Sequence, residues 1–283
     1  MPTIADDILQ QLARLLGAHR PRVRALHLPP LPWDGTKDGE FAALELDDGA
    51  LGLGYVLLGD TLRRLVQAQA TNGTAPLAGQ DAMALAQRWL GDDPADRALG
   101  LAAVNALSRH LMDRAGFEPP AARDSIAGLS PQAGEHIGMV GYFPPLLKQV
   151  TAQGARLTVL ELRADLAGPR EHCTVTLDPA DLRSCDKLLS TSTVLMNHSL
   201  ENVLAHCPKA RAAGVVALIG PSAGCLPDAL FARGVTALGG SWITDPVAAV
   251  AALQTGAPWS AHARKFLLTP ADWGQGFGAP SRR

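Results

Sequence analysis

From residue 136 onward the chain alternates short apolar runs with helix-patterned segments, and this alternation restricts the fold more than any other feature. The runs are IGMVG (137–141), LTVLEL (157–162), KLLSTST (187–193), GVVALIG (214–220) and VTALGG (235–240). Helical patterns fall at 145–152, 178–183, 198–206, 227–232 and 245–253. Parallel strands need long crossover connections, usually helices, so strand and helix in turn predict a parallel sheet. In an open sheet of that kind ligands bind beyond the carboxyl ends of the strands. The residues that end each run are therefore the candidates for function.

A different grammar governs the first half. RVRALHL (22–28), EFAALELDD (40–48) and ALGLGYVLL (50–58) read as three strands, the last two joined by a hairpin through Asp47, Asp48 and Gly49. Helical segments follow. The longest opens at Asp93-Pro94, an N-cap with proline at the first helical position, and stops at Gly116. Its middle, 99–107, is apolar nearly all round, which requires cover on several sides and suits an element wedged between two units. The Pro-, Gly- and Ser-rich stretch around 116–135 marks a linker. The expected organisation is an α+β domain over 1–118, a linker over 119–135 and an α/β domain over 136–283.

Composition narrows the function classes. A chain of 283 residues, 47% hydrophobic, has enough apolar material for a large core. Its formal net charge of −2 supplies no field to recruit nucleic acid or an anionic membrane surface. No apolar stretch approaches the roughly 20 residues of a membrane span. Ile4, Ile8, Leu12, Leu15 and Leu16 share one helical face, so the N-terminus reads as a packed helix and not a signal peptide. A cytoplasmic location is expected. Cys173, Cys185, Cys207 and Cys225 form no C-x-x-C pair and predict buried free thiols. His172, His198 and His206 are chemically able to join them on a metal, but no spacing rule assigns a metal site.

The strand ends carry the chemistry. In HIGMVGYFPPLLKQV (136–150) a strand meets Gly141 and a helical pattern, the layout of a dinucleotide turn. Where further glycines belong stand Tyr142, Phe143, Pro144 and Pro145. Proline has no N–H to offer a phosphate, so NAD or FAD binding is disfavoured. Tyr142 and Phe143 suit either a stacked planar ligand or the closing of the core's edge. Glu161 lies 20 positions after Gly141, the spacing of a ribose-binding carboxylate, which keeps a nucleoside-type ligand such as S-adenosylmethionine open. Ser190, Thr191, Ser192 and Thr193, with Asn197 close behind, offer more hydrogen-bonding groups than one helix cap needs, and suit either a small polar ligand or turn and cap chemistry. Gly220, Pro221 and Ser222 form the fourth strand's turn. There is no G-x-S-x-G elbow, and no catalytic residue is assigned.

These residues bring out a resemblance. MVGYFPPLL, CDKLLSTSTVLMNHSLENVL, VVALIGPSAG and LFARGVTALGGSWITDP, in order across most of the second half, are similar to an uncharacterised bacterial and archaeal domain family labelled for heavy-metal chelation. ALGLGYVLLG and RALGLAAVNAL resemble that family's companion domain, itself like the N-terminal domain of enolases. The resemblance implies an α/β protein in which an N-terminal α+β, enolase-N-like cap joins a C-terminal Rossmann-like parallel-sheet domain, with a site in the cleft between them. It singles out Gly141, Phe143 and Pro144 in the first turn, then Glu161, Thr191, Thr193, Asn197, Gly220, Pro221 and Ser222; Tyr142 or Phe143 would cover the ligand, and Asn105 is either the cap's polar contact to it or a buried amide bonded to a neighbouring loop. Two departures stand out: Ser192 replaces a glycine, and Ala223-Gly224 replace Thr-Pro.

The implied function is binding or processing of a small metal-chelating compound or metal complex, with a transition metal ion or chelate as the ligand. Two alternatives stay open: an enzyme using a nucleoside-bearing cofactor, with Glu161 on the ribose, and a non-catalytic homodimer whose cap supplies the interface.

Overall fold

The computed structural model describes residues 2–33, 35–36, 38–72 and 77–274. Helix α1 (Ile4–Leu16) opens with a capping box: Thr3 Oγ1 accepts from Asp6 N at 3.1 Å and Asp6 Oδ2 accepts from Thr3 N at 2.9 Å. Ile4, Ile8, Leu12 and Leu16 are buried as the periodicity predicts, while Leu15 is half-buried. Strands β1 (Val23–His27), β2 (Phe41–Leu46) and β3 (Leu51–Tyr55) form an antiparallel sheet in the order β1-β2-β3. The β2–β3 hairpin turns at Gly49, whose φ of 91° favours glycine. After α2 (Thr61–Asn72) and α3 (Ala82–Ala86) comes α4 (Pro94–Arg114), capped by Asp93 Oδ1 on the Ala95 and Asp96 amides.

Helix α4 is buried on almost every side, from Leu99 through Met112, so it has no solvent face to speak of. Alternation on β2 and β3 explains why. Leu44 and Leu46 turn toward α4 and α1, whereas Phe41, Ala43, Leu51 and Leu53 pack on Trp259 and on Ala249, Ala252 and Leu253 of a later helix. The residues of β3 that face α4 are Gly52 and Gly54. A Cβ on Gly52 would stand 2.1 Å from Ala102 O, and one on Gly54 would stand 2.7 Å from Ala98 O. Backbone thus lies against backbone, and the helix is drawn onto the sheet by the absence of side chains.

The second half builds an eight-stranded sheet. In chain order the elements are β4 (His136–Val140), α5 (Pro144–Thr151), β5 (Arg156–Leu160), β6 (Gly168–Pro169), β7 (Thr174–Thr176), β8 (Lys187–Thr191), α6 (Thr193–Met196), α7 (Leu200–Ala205), α8 (Pro208–Ala212), β9 (Val216–Ile219), α9 (Asp228–Ala232), β10 (Ala237–Ile243), α10 (Pro246–Thr255), β11 (Ala263–Leu268) and α11 (Pro270–Trp273). The spatial order is β11-β10-β9-β8-β4-β5-β7-β6, parallel except for the edge strands β11 and β6. The α/β class read from the alternation is what the chain adopts.

From β4 the chain first moves to β5 on one side, then returns to β8 on the other. Leu147 and Val150 of α5 pack on the face formed by Ile137, Met139, Leu157 and Leu189. Leu195, Leu200 and Val203 pack on the opposite face with Leu188, Val216 and Leu218. The connections leaving β4 and β8 therefore diverge, the arrangement at which open α/β sheets place their ligand crevice.

Three features lie beyond the alternation. Strand β11 pairs antiparallel with β10, and β6 and β7 extend the other edge. Residues 117–135 form no helix, yet they strap the outer edge of β11: Ala122 N donates to Lys265 O and Leu267 N to Pro120 O, both at 3.0 Å. Ile126 and Leu129 of the strap are buried. The helix expected over 198–206 begins only at Leu200, because His198 has a φ of 55° and breaks the chain between α6 and α7.

The lobes are bolted together at several points. Ile4 N donates to Glu201 Oε1 at 2.8 Å, Gln11 Nε2 to Asp228 Oδ2 at 2.6 Å, and Arg233 pairs with Asp7. The Trp89 indole donates to Leu195 O at 3.0 Å, and His198 Nε2 bonds Trp89 O at 2.8 Å. Among the described residues no helix is long and apolar enough to cross a membrane.

Two outcomes are expected. Gly52→Ala places its methyl inside two backbone atoms and should lose about 3 kcal/mol or more, at or beyond the upper end of ordinary overpacking. Urea unfolding measures it, and a loss no larger than that of Gly49→Ala, whose Cβ meets nothing within 4 Å, contradicts the packing account. The second outcome concerns pH. His136 is buried between Ser184 Oγ and Thr158 Oγ1, and burial, then Arg156, lowers its pKa. Below a pH of about 6.5 the unfolded chain binds the proton more readily, so stability is intact above that value and falls as pH drops toward the lowered folded pKa. In His136→Gln that part of the slope between pH 7 and 5 should disappear from the unfolding midpoints.

Candidate functional site

The first turn of the rim has already used its anion-binding potential. Gly141 has a φ of 91°, and its N donates to Leu160 O at 2.9 Å. Tyr142 N donates to Glu161 Oε1 at 2.6 Å, and Leu162 N donates to Glu161 Oε2 at 2.9 Å. Beyond Phe143, Pro144 and Pro145 have no N–H to give. The chain's own carboxylate therefore occupies the place where a dinucleotide phosphate would find its donors. Glu161, spaced as a ribose ligand, turns inward to the loop instead. Phe143 closes over the same turn, and a Cβ on Gly141 would meet its ring at 3.1 Å and Thr191 Cβ at 3.4 Å.

The hydroxyl-rich end of β8 divides into two sets. Ser192 and Ser222 are buried and bonded to each other at 2.9 Å between Oγ atoms, and Ser192 N donates to Ile219 O at 2.7 Å. Gly220 is required there, because a Cβ on it would stand 2.2 Å from Ser192 Oγ. These groups hold the β8 and β9 loops together. Thr191 and Thr193 are only half-buried. Thr191 Oγ1 accepts from Thr193 N at 3.2 Å and donates to Thr193 Oγ1 at 3.0 Å, leaving a hydroxyl pair beside Gly141 at the rim of the crevice. Asn197 spends its Oδ1 on Ser199 N and Oγ, at 3.1 and 2.6 Å, and shapes the turn into α7.

Asn105 reaches the rim from α4. Its Nδ2 donates to Leu53 O of β3 and to Ser222 O of the β9 loop, each at 2.8 Å. Beside it lies a cavity of about 30 Å³ lined by Leu51, Arg109, Pro221, Gly224, Ser241 and Trp242 among others. Arg109 lies flat on Trp242, its Cζ 3.7 Å from the ring centre, with Nε on both oxygens of Asp113 at 2.8 Å and Nη1 on Ile243 O at 3.0 Å. Further along β3, the Tyr55 phenol is pushed up to about 12 by burial, with the negative charges of Glu40 and Glu161 adding to it. A neutral phenol and two carboxylates thus share one neighbourhood.

The predicted residues accordingly fall into groups. Gly141, Tyr142, Phe143, Glu161, Thr191 and Thr193 gather at β4, β5 and β8. Asn105, Gly220, Pro221 and Ser222 gather at β9, and Asn197 serves its own turn. Sequence reasoning missed Tyr55, Arg109, Ser241 and Trp242. Arg109 carried a signal, since it lies one helical turn after Asn105 on the same face. Ser241 and Trp242 did not, because they depend on how far β10 runs.

A bare metal ion does not fit these side chains. Among the described residues no group of three or more His, Cys, Asp or Glu is placed to hold one. The four thiols are buried and unpaired, as expected, and burial pushes Cys185, Cys207 and Cys225 up to about 12, away from the thiolate that soft metals need.

A small antiparallel sheet with its helices, packed beside a large, mostly parallel sheet, defines an α/β protein with its candidate site at the carboxyl ends of the parallel strands. The family model DUF364, described as "Putative heavy-metal chelation", matches residues 124–270, just over half of the chain, and DUF4213, with the same description, matches 40–108. The chain belongs to the DUF364 family. It is similar to a family member of unknown function from Pyrococcus horikoshii, at 18% identity over 94% of this chain and 100% of that one, with a TM-score of 0.70. A second, from Desulfitobacterium hafniense DCB-2, is 19% identical over 93% and 98%, with a TM-score of 0.67. At such identities these structures speak for the fold alone. No curated protein matches the chain.

Replacing Glu161 with glutamine sets an amide N–H against one of the two backbone donors and removes the charge from the other bond. A loss of about 1–2 kcal/mol is expected. Denaturant midpoints read it, and a change below about 0.3 kcal/mol contradicts the closed-turn account, since it is far less than one charge-assisted hydrogen bond.

Proposed function

We propose that the protein binds a small metal-chelating compound, alone or already carrying its transition metal ion, on the rim between the β4 and β8 ends, and that it recognises the organic part of the complex. The observation that carries this reading is the half-buried Thr191–Thr193 hydroxyl pair at the divergence of the sheet's connections, beside a turn closed to phosphate. Hydroxyls both donate and accept, which suits the carboxylate, amide and hydroxyl groups of chelators. Glu161 and Glu40 give this end of the rim negative charge, and the neutral Tyr55 phenol supplies a donor. The family description supports chelation as the theme. Among the described residues no cluster of His, Cys, Asp or Glu is placed to hold an ion, which favours a complex over a bare ion. The inward turn of Glu161 counts against a nucleoside-bearing cofactor, since the carboxylate meant for the ribose is bonded to Tyr142 and Leu162.

Calorimetry with Ni²⁺, Cu²⁺ and Zn²⁺, each bare and as its citrate or histidine complex, tests the reading. Complexes should bind at least tenfold more tightly than the ions, and Thr191→Val with Thr193→Val should weaken them by about tenfold, the ~1.4 kcal/mol of one good hydrogen bond. Ions binding as well as their complexes, or a valine variant that binds like the wild type, would overturn it.

A further inference from the structure

One buried acceptor at the rim has nothing to accept. Asn105 is 3% exposed, and its Oδ1 has no hydrogen-bond partner. The orientation of the amide is fixed, because Nδ2 faces the carbonyl oxygens of Leu53 and Ser222, and a flipped amide would set oxygen against oxygen twice. No side chain fills the space in front of it. A Cβ built on Gly224 would stand 3.5 Å from Oδ1 and 3.3 Å from both Asn105 Cβ and Cγ. Asn105 and Gly224 line the same cavity, whose roughly 30 Å³ admits about two water-sized groups.

Charge and size decide what the cavity takes. Arg109 lines it too, fixed on Trp242 and held by Asp113 and the Ile243 carbonyl, so an ammonium group would meet a guanidinium. An anion would meet the lone pairs of Oδ1 while the amide's donors point elsewhere. Most of the remaining wall is apolar, including Leu51, Leu53, Met112 and Phe266. A neutral donor satisfies every one of these conditions.

We propose that this cavity is a subsite for a neutral, hydrogen-bond-donating end group, a primary carboxamide or hydroxyl of two or three heavy atoms, received by Asn105 Oδ1. It rests on the reading that the rim binds a small ligand, whose body would enter past Pro221, and it specifies one end of that ligand. It does not depend on the metal.

Full-length ¹⁵N-labelled protein titrated with formamide, methanol, methylammonium and formate tests the subsite, with the Gly224 and Ser241 backbone amides as reporters. Formamide and methanol should give saturable shifts at both, with methylammonium and formate at least tenfold weaker. Gly224→Ala puts a methyl group into the cavity without a strained backbone, and should weaken formamide at least tenfold as read at Ser241. No saturable shift with the neutral probes, equal binding of the charged ones, or an undiminished response in Gly224→Ala each overturns the subsite. Should Gly224→Ala not fold, the neutral-against-charged comparison in the wild type decides alone. If formamide binds but the citrate and histidine complexes do not, the subsite stands and the chelate reading falls. The reverse result sinks only the subsite.

Discussion

The close approach of α4 to β3 is the contact on which the remaining architecture depends. It exists because Gly52 and Gly54 present bare backbone to the Ala98–Ala102 stretch of the helix. Small residues on both sides let the helix sit low enough for its far side to be buried by the large sheet's helices, which is how α4 comes to be apolar all round. The same seating delivers Asn105 to the rim, where one amide group joins a carbonyl of each lobe. A helix held further out by methyl groups would leave that amide short of Ser222.

The rim itself shows how a familiar layout is turned to a different use. Strand, glycine and helix stand where a dinucleotide fold has them, but Glu161 takes the Tyr142 N–H, and Pro144 and Pro145 have none to offer. What remains open to solvent is polar without being strongly cationic. Arg109, the charged side chain that lines the neighbouring cavity, is already paired with Asp113 and stacked on Trp242. Such a surface selects by hydrogen-bond pattern more than by charge.

The fold was largely legible because the alternation of 136–256 is regular, and because β4 and β9 stop at Gly141 and Gly220, whose positive φ turns the chain. The capped start of α4 and the α1 face were legible for the same local reasons. What local pattern does not contain was missed: β11 and the 117–135 strap pair across more than a hundred residues, and α7 starts late because His198 takes a left-handed conformation. At the site, residue types told where polarity would gather. They did not tell which groups would spend it on one another. Ser192 and Ser222 read in sequence just as Thr191 and Thr193 do, and each pair is bonded within itself; only burial separates the first, enclosed between the β8 and β9 loops, from the second, which is half-buried.

The bonds that fasten α1 to the large lobe have a consequence for synthesis. Ile4, Asp7 and Gln11 find their partners at Glu201, Arg233 and Asp228, all in the last third of the chain. At about 5–20 residues per second the first helix leaves the ribosome about 10–45 s before residue 233 is made. During that interval its apolar stripe has only the first half of the chain to rest on, and its polar partners arrive with the last third.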